Sequence, residues 1–421
     1  MMSSIPDSAA VAAKEYFLAR QPILNREQGL SAYELLFRSA AGASASGVTD
    51  DLTATASLIA HASDLGMEQV VGDKLGFVNV DAAVLMSDFV QFLPRNKVVL
   101  EILETVKATP EILARVMELQ KAGFHFALDD VIADNEDVQK FLPLVEIVKI
   151  DIMGMEAGAL AKLARMLPGK RLLAEKVETQ AEFERCLALG FEFFQGYYFA
   201  RPVILSGKKI APSELSILHL MGLLNSDAEN HEIEVSIKQD VTLGINLLKL
   251  VNTPAIGAKT RIDSIAQALM ILGRRQLQRW LQILLYAKPG KGSHGATPLL
   301  QLATTRGKLL ELLAQKCHPQ KRNMADTAFT VGIMSLMDAL FNLPMTEILT
   351  QVSVADEVED ALLKRGGFYG ELLKLAEAIE HLDQSLDRLL PSLDELDLSA
   401  EDLNELQLEA FDWVNKIAQQ V

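Results

Sequence analysis

Cysteine and positive charge are both scarce in this chain of 421 residues. The two cysteines, Cys186 and Cys317, lie far apart, which excludes a disulfide framework and a zinc-knuckle spacing. Forty basic residues stand against fifty-six acidic ones, and the formal net charge of -16 argues against a general surface for nucleic acid. We therefore expect a protein of a reducing cytoplasm that does not bind nucleic acid.

We also expect neither a leader nor a membrane-spanning segment. Its first ten residues contain no basic segment that leads into an apolar stretch, and no later run predicts a membrane span. Hydrophobic residues make up 49% and charged residues 23%, which is typical of packed globular proteins. A chain of this length usually forms two domains. We expect a soluble, two-domain protein without membrane insertion.

Short apolar runs alternate with longer helix-like segments from Tyr16 to Pro202, which is typical of a β/α architecture. In a parallel β/α barrel the strand ends converge at the C-terminal mouth, where this fold carries out its chemistry. We therefore predict a TIM-like (β/α) barrel with a polar mouth. The polar residues that end the apolar runs are Asn79, Glu101, Asp129, Lys149, Glu175 and Gln195.

The pattern changes after Pro202. Leucines such as Leu243, Leu247 and Leu250 recur at helical spacing, so the second domain should be all α. The predicted division is a tail over 1–15, the barrel over 16–205 and the helical domain over 206–421. The glycine-rich stretch 288–295 lacks the end of a phosphate-binding P-loop, and the acidic stretch 383–409 predicts amphipathic helices with a solvated face.

Oxygen donors dominate the predicted barrel mouth. Carboxylate and amide oxygens are hard ligands that suit Mg²⁺ or Mn²⁺ rather than zinc. Acidic residues at strand ends can also cap helices or join surface salt bridges, and composition alone leaves that alternative open. Their convergence at one rim favours a metal site. The set is Glu34, Asn79, Glu101, Asp129, Asp130, Glu175 and Gln195.

The same residues carry a family resemblance. The stretches Arg20–Ile23 and Tyr33–Arg38 look like the opening of EAL domains, with Leu35 in place of the alanine of the name motif. The remaining motifs resemble those of EAL domains in order along the chain. They are Asn79, Leu100-Glu101-Ile102, Leu128-Asp129-Asp130, Val148-Lys149-Ile150-Asp151, Ala174-Glu175-Lys176-Val177-Glu178 and Gln195-Gly196-Tyr197-Tyr198-Phe199.

The resemblance implies hydrolysis of cyclic di-GMP to linear pGpG with two metals about 4 Å apart. It assigns Lys149 and Glu175 to the attacking water, with Lys149 also stabilising the developing phosphoryl charge. Arg38 would clamp a phosphate, although an ordinary surface arginine is the other interpretation. The implied metal ligands are Glu34, Asn79, Glu101, Asp129 and, for a second metal, Asp130. The implied nucleotide-binding residues are Gln21, Arg38, Asp151, Gln195 and Pro202.

Besides Leu35, one segment and one further residue depart from the EAL pattern. The segment 131–137 reads Val-Ile-Ala-Asp-Asn-Glu-Asp, where the family usually has a Phe-Gly pair and a small loop rich in glycine and serine. Lys176 stands where a glycine is usual beside Glu175. Both departures bear on turnover rather than on the presence of the ligands.

From about Pro212 the chain resembles an HDOD module, a relative of HD phosphohydrolases without their metal site. The resemblance rests on the stretches 237–243, 247–254 and 262–273. The His-Asp pair of an active HD enzyme is missing, because Ser335 and Leu336 lie in the comparable helix. The resemblance implies regulation through protein partners, with a homodimer as a further expectation.

The sequence therefore predicts a bacterial cyclic di-GMP signalling protein that binds the nucleotide and hydrolyses it with Mg²⁺ or Mn²⁺. Two alternatives stay open. One is a catalytically inactive sensor that passes the signal on through the HDOD part, and the other is an interaction scaffold that binds no nucleotide.

Overall fold

The computed structural model describes residues 16–39, 67–132, 135–196, 212–226, 228–253, 261–286, 298–341, 343–350, 352 and 354–418. Contacts between residues divide these into two compact units. The barrel unit comprises the described residues of Met1–Val203, Lys291–Gln301 and Lys374–Val421. The helical unit comprises those of Ile204–Gly290 and Leu302–Leu373.

Eight strands close into a barrel in sequence order, which confirms the predicted β/α barrel. The first strand pairs antiparallel with both of its neighbours, so an all-parallel barrel is the wrong description. The physical reason is the short turn 25–29, because a hairpin joins antiparallel strands whereas a parallel pair needs a crossover. The strands are β1 (Tyr16–Leu24), β2 (Leu30–Ser39), β3 (Leu75–Val80), β4 (Val98–Ile102), β5 (His125–Leu128), β6 (Ile147–Asp151), β7 (Arg171–Glu175) and β8 (Phe193–Phe194).

One layer of apolar side chains fills the barrel interior, with a single residue from each strand. Interior and exterior positions alternate along a strand, so the residues two positions away in each strand also face inward. The apolar layer therefore fixes which residues form the next layer towards the mouth. Its members are Ile23, Ala32, Phe77, Val99, Ala127, Ile147, Leu173 and Phe193.

Short helices cover the outside of the barrel, and local signals set where they begin. Thr109 caps the helix that starts at Pro110, and Thr179 forms a capping box with Glu182. The apolar faces of these helices pack on the outer faces of the strands in one large core. The helices are α1 (Met67–Val71), α2 (Ala82–Met86), α3 (Pro110–Lys121), α4 (Glu136–Phe141), α5 (Ala157–Met166) and α6 (Gln180–Ala188).

The rest of the described chain is helical, as predicted. Gly273, which has a left-handed φ, interrupts the helix Ile265–Tyr286. Gly307 and Gly332 let the helices Pro298–Cys317 and Arg322–Met334 cross closely, because a Cβ on Gly332 would lie 2.6 Å from the Cα of Gly307. The helices are α7 (Pro212–Asn225), α8 (Asn230–Gln239), α9 (Val241–Val251), α10 (Ile265–Tyr286), α11 (Pro298–Cys317), α12 (Arg322–Met334), α13 (Met337–Phe341), α14 (Met345–Leu349), α15 (Asp356–Lys364), α16 (Gly367–Glu380), α17 (Leu382–Glu395) and α18 (Ala400–Ala418).

The last two helices belong to the barrel unit, although the predicted helical domain extends over 206–421. In α18 the ring of Phe411 lies 3.9 Å from the guanidinium of Arg20, which also stacks over Tyr33 at 4.4 Å. Asn404 accepts a hydrogen bond from the backbone N–H of Leu18 at 3.2 Å. The acidic amphipathic helices predicted near 383–409 therefore have an apolar face that packs on the barrel.

Within the described part of the chain one segment, Arg322–Phe341, is long and apolar enough to cross a membrane by length and composition, although none was predicted from the sequence. Most of it is buried among other parts of the protein, which is also true of core helices in soluble proteins. It is weak evidence for a membrane span.

Candidate functional site at the barrel mouth

Eight polar side chains lie one layer above the apolar filling of the barrel, one on or directly after each strand. Each is two residues from its partner in the apolar layer, towards the same end of the barrel. In β1 this step runs backwards along the chain, from Ile23 to Gln21, because that strand is antiparallel. We call these residues the polar layer. They are Gln21, Glu34, Asn79, Glu101, Asp129, Lys149, Glu175 and Gln195.

Lys149 lies at the centre of the polar layer. Its side chain is only 1% exposed, and its ammonium contacts a carboxylate from each of four strands or strand ends. The Nζ to oxygen distances are 2.9 Å to Glu101, 2.9 Å to Asp129, 3.0 Å to Glu175 and 3.4 Å to Glu34. One buried cation thus faces four carboxylates, which leaves a formal local charge of -3 by subtraction.

The amide side chains of the layer orient Glu34. The amide nitrogen of Gln195 donates to Glu34 Oε2 at 2.7 Å and to the side-chain oxygen of Gln21 at 2.7 Å. Asn79 donates to Glu34 Oε1 at 3.4 Å. Both oxygens of Glu34 therefore point into the layer in fixed directions.

A close approach of two backbones holds Gln195 in place. Its backbone oxygen accepts from the N–H of Val177 at 3.0 Å. The next residue, Gly196, has a φ of 148°, and a Cβ there would lie 2.3 Å from the backbone of Val177. Only glycine fits at this position, which explains the Gln-Gly pair in the sequence.

Burial and the excess of negative charge shift the pKa values of the cluster. Burial raises the pKa of Glu175 to about 8 and that of Glu101 well above its usual range, and the Lys149 charge offsets this only in part. Burial alone would also raise the pKa of Glu34, but Lys149 and the two amides bring it below its usual value. The four carboxylates raise the pKa of Lys149 well above its usual range despite its burial. The cluster thus needs more positive charge than Lys149 supplies.

The layer fits a divalent cation. Asn79 Oδ1, Glu101 Oε2 and Gln195 Oε1 are buried and lack a hydrogen-bond partner among the described residues. Such oxygens are costly unless a donor or a cation meets them. Among the described residues no group of three or more acidic, His or Cys side chains is arranged to hold a metal ion, and the Lys149 ammonium lies among the carboxylates. Glu34, Asn79, Glu101 and Asp129 are nevertheless hard oxygen donors, the type that Mg²⁺ and Mn²⁺ prefer.

Three further charged residues lie at the edge of the layer. Asp130 follows Asp129 with a left-handed φ of 48°, and Asp151 ends β6 in register with Glu175. Lys176 follows β7 with a left-handed φ of 54°, and its ammonium forms an ion pair with Asp151 Oδ2. The other Asp151 oxygen accepts from the backbone N–H of Met153 at 2.8 Å. Sequence reasoning identified Lys176 as a departure but missed this ion pair, which no local pattern indicates.

Two residues implied by the resemblance are not placed with the others. Arg38 lies on β2, but its side chain is outside the described residues, and Pro202 is outside them entirely. Residues 133 and 134 of the unusual loop are also outside them, whereas Val131 is buried and its N–H donates to the backbone oxygen of Lys149 at 2.9 Å.

In the helical unit, Ser335 and Leu336 lie where an HD enzyme has its metal-binding His-Asp pair. The Ser335 hydroxyl accepts from the guanidinium of Arg306 at 2.7 Å and donates to the backbone oxygen of Gly332 at 2.7 Å. Leu336 beside it is buried and apolar. Neither side chain is a metal ligand of the HD type.

Comparisons with known proteins find two domain families in the chain. The model of the EAL domain matches residues 8–202, and that of the HDOD domain matches residues 215–357. The protein YuxH of Bacillus subtilis is 32% identical over 410 residues, which cover 95% of this chain and 98% of YuxH. The cyclic di-GMP phosphodiesterase CdgJ of Vibrio cholerae is 32% identical over 408 residues, which cover 95% of this chain and 93% of CdgJ.

Solved structures resemble the barrel more distantly. The EAL enzyme Bd1971, in its form bound to cAMP and cyclic di-GMP, is 20% identical, with a TM-score of 0.38 over 47% of this chain and 65% of that chain.

Proposed function

The chain belongs to the family of proteins that join an EAL domain to an HDOD domain, and on that premise we propose that it hydrolyses cyclic di-GMP to linear pGpG. The polar layer supports the proposal most directly. It gathers four carboxylates, three amides and one ammonium at the barrel mouth, where this fold performs chemistry. The relative CdgJ is a cyclic di-GMP phosphodiesterase by name.

In the proposed reaction a water oxygen attacks one phosphorus, and the bond from that phosphorus to the ribose 3′ oxygen breaks. The 3′ oxygen leaves with a proton, and the water loses one. Glu34, Asn79, Glu101 and Asp129 would hold Mg²⁺ or Mn²⁺, which would supply Lewis-acid stabilisation of the phosphoryl oxygens. Glu175 orients the attacking water and accepts its proton.

Lys149 has a separate part in the proposed reaction. Its buried ammonium is held by four carboxylates, so it needs no reorganisation to face the negative charge that develops on the phosphoryl group. Gln21 and Gln195 line the same mouth and supply amide groups for the nucleotide, as do Arg38 and Pro202 by resemblance.

We assign regulation to the HDOD domain, through protein partners, and place the protein in the cytoplasm, where its two free cysteines stay reduced. A homodimer is part of the same proposal. The Ser335 and Leu336 pair supports a regulatory rather than a catalytic domain.

Calorimetry with cyclic di-GMP, with Mg²⁺ or with EDTA, tests binding, and chromatography of the same samples tests for pGpG. We expect binding and pGpG with Mg²⁺ in the full chain and no pGpG from Glu34→Ala. The matched control is Glu27→Ala, an exposed carboxylate in the β1–β2 turn outside the polar layer. A folded protein that binds no nucleotide in either condition would refute the proposed hydrolysis. It would support the alternative of an interaction scaffold that binds no nucleotide.

A sensor that binds cyclic di-GMP without turnover is the second candidate. The ion pair between Lys176 and Asp151 favours it, because both oxygens of Asp151 already have partners. Nucleotide binding without pGpG, at every Mg²⁺ and Mn²⁺ concentration, would establish the sensor and refute hydrolysis.

A further inference from the structure

The two sides of the barrel mouth differ in how far their negative charge is compensated. Around Lys149 four carboxylates face one ammonium, and buried oxygens of Asn79 and Glu101 lack partners among the described residues. At the edge, the ammonium of Lys176 forms an ion pair with Asp151 and its charge also acts on Asp130, so two carboxylates share one cation and the formal charge is -1 by subtraction. The centre is deficient in positive charge and the edge is nearly balanced.

Asp151 has no oxygen directed at an open site. Its Oδ2 pairs with Lys176 and its Oδ1 accepts the N–H of Met153. A second metal held by Asp130 would stand near this ammonium, whose charge acts on Asp130, and repulsion between a dication and a nearby ammonium is strong where the site is partly buried.

From this contrast we infer that Lys176 is a built-in cation that takes the place of a second metal, so that the site holds one Mg²⁺ or Mn²⁺ rather than two. The inference rests on the proposed function only for the identity of the first metal. It changes the two-metal site implied by the resemblance to EAL domains, because the chain itself then supplies the positive charge beside Asp130 and Asp151.

The backbone supports this role. Lys176 has a left-handed φ of 54°, a conformation that is unfavourable for a residue with a Cβ and that glycine adopts freely. The lysine therefore sits at a position that its backbone conformation does not favour. The Ile152 N–H donates to the Glu175 backbone oxygen at 3.3 Å, which ties the end of β7 to β6 and brings the Lys176 side chain to Asp151.

Mn²⁺ binding to the full chain tests the inference without any measurement of activity. Calorimetry with Mn²⁺ alone gives the number of sites, and electron paramagnetic resonance distinguishes an isolated Mn²⁺ from a coupled pair. We expect one isolated Mn²⁺ per chain in the wild type. Lys176→Gln and Lys176→Gly should bind a second Mn²⁺ about tenfold tighter or more than the wild type does, with a coupled spectrum. Lys176→Arg keeps the charge and should still bind one Mn²⁺ per chain.

The matched control is Lys140→Gln, which removes a lysine from an exposed ion pair with Glu136 outside the polar layer and should still bind one Mn²⁺ per chain. Two tight sites in the wild type would overturn the role of Lys176. So would a second site in Lys176→Gly but not in Lys176→Gln, because the backbone rather than the charge would then decide.

These outcomes are separable from a failure of the proposed function. A chain that binds one Mn²⁺ but no cyclic di-GMP keeps the role of Lys176 and loses the proposed reaction. A chain that binds no Mn²⁺ overturns both.

Discussion

Lys149 is the residue on which the barrel mouth depends, because it is the only described cation inside the polar layer. Its ammonium compensates part of the charge of Glu34, Glu101, Asp129 and Glu175. A buried charge that loses its partner costs far more than an exposed one. The lysine therefore contributes to stability as well as to the proposed chemistry.

We predict that Lys149→Met lowers the free energy of unfolding in EDTA by about 3 kcal/mol or more, since four carboxylates then face each other without a cation. Saturating Mg²⁺ should restore part of the loss, because a dication supplies the missing charge. Urea unfolding with EDTA and with Mg²⁺ measures both effects. Lys140→Met, at an exposed ion pair, should change stability by less than about 0.5 kcal/mol. Equal effects of the two substitutions would contradict the central role of Lys149.

Glu175 makes stability depend on pH. Its pKa is raised from the ordinary 4.5 to about 8, so the folded protein binds a proton that the unfolded chain releases between those values. Stability from this group is therefore fully present below about pH 4.5 and is lost as the pH rises through about 8. Glu101, whose pKa is also raised, acts in the same direction.

We predict that the metal-free protein loses stability, on the order of 2 kcal/mol, between about pH 5.5 and about pH 8.5. Glu175→Gln should have a shallower decline and should be more stable than the wild type at the upper pH. Urea unfolding in EDTA across this range measures the slopes. If the slope of Glu175→Gln equals that of the wild type, Glu175 is not the group that holds the proton.

Among the helices and strands, α18 makes contacts with the barrel that the barrel motifs in the sequence do not indicate. It lies about 380 residues after β1 in the chain, yet its Asn404 and Phe411 contact that strand. Asn415 of the same helix donates to the backbone oxygen of Gln69 in α1 at 2.9 Å. The helix thus covers β1, the strand that carries Gln21 of the polar layer.

We predict that Phe411→Ala lowers the free energy of unfolding of the barrel unit by about 3 kcal/mol, since a nearly buried ring and its stacking on Arg20 are both lost. Hydrogen exchange should speed up first in β1 and β2. Glu405→Ala, on the exposed face of the same helix, is the control and should be within about 0.5 kcal/mol of the wild type. Unchanged exchange in β1 would show that α18 does not support the strand.

At the scale of the whole molecule, the two units differ in their chemistry. The barrel unit contains the charged mouth, whereas the position comparable to an HD metal site holds a hydroxyl and an apolar side chain. All proposed catalysis therefore lies in one unit.

We predict that the full chain with Glu34→Ala has no metal-dependent phosphohydrolase activity at all. Glu34 supplies an anionic ligand that Leu35 and Leu36 cannot replace, and Ser335 and Leu336 offer no second metal site. Assays of cyclic di-GMP and of p-nitrophenyl phosphate, each with Mg²⁺ and with Mn²⁺, measure it. The Glu27→Ala variant is the active control. Phosphatase turnover that survives Glu34→Ala would place catalysis in the helical unit.

The sequence by itself determined the barrel, because short apolar runs alternate with helix-like segments. Each run ends in a polar residue, which is typical of the strands of a β/α fold. Seven of the eight strand-end residues of the polar layer stand out in this way or through an EAL motif, and Gln21 follows from the resemblance. Local signals such as the Thr179 capping box and the Gln195-Gly196 pair also lie within a few residues of what they determine.

Tertiary structure alone decided which distant groups meet. The pairing of β1 with β8, the ion pair of Lys176 with Asp151 and the return of α18 to the barrel all join residues whose sequence neighbours give no sign of the contact. Amphipathic periodicity shows that the 383–409 region has an apolar face, but not which surface covers that face, because burial of apolar area is not directional. Likewise, the charges in the sequence specify a polar mouth, while only the positions of Lys149 and Lys176 decide where positive charge is still needed.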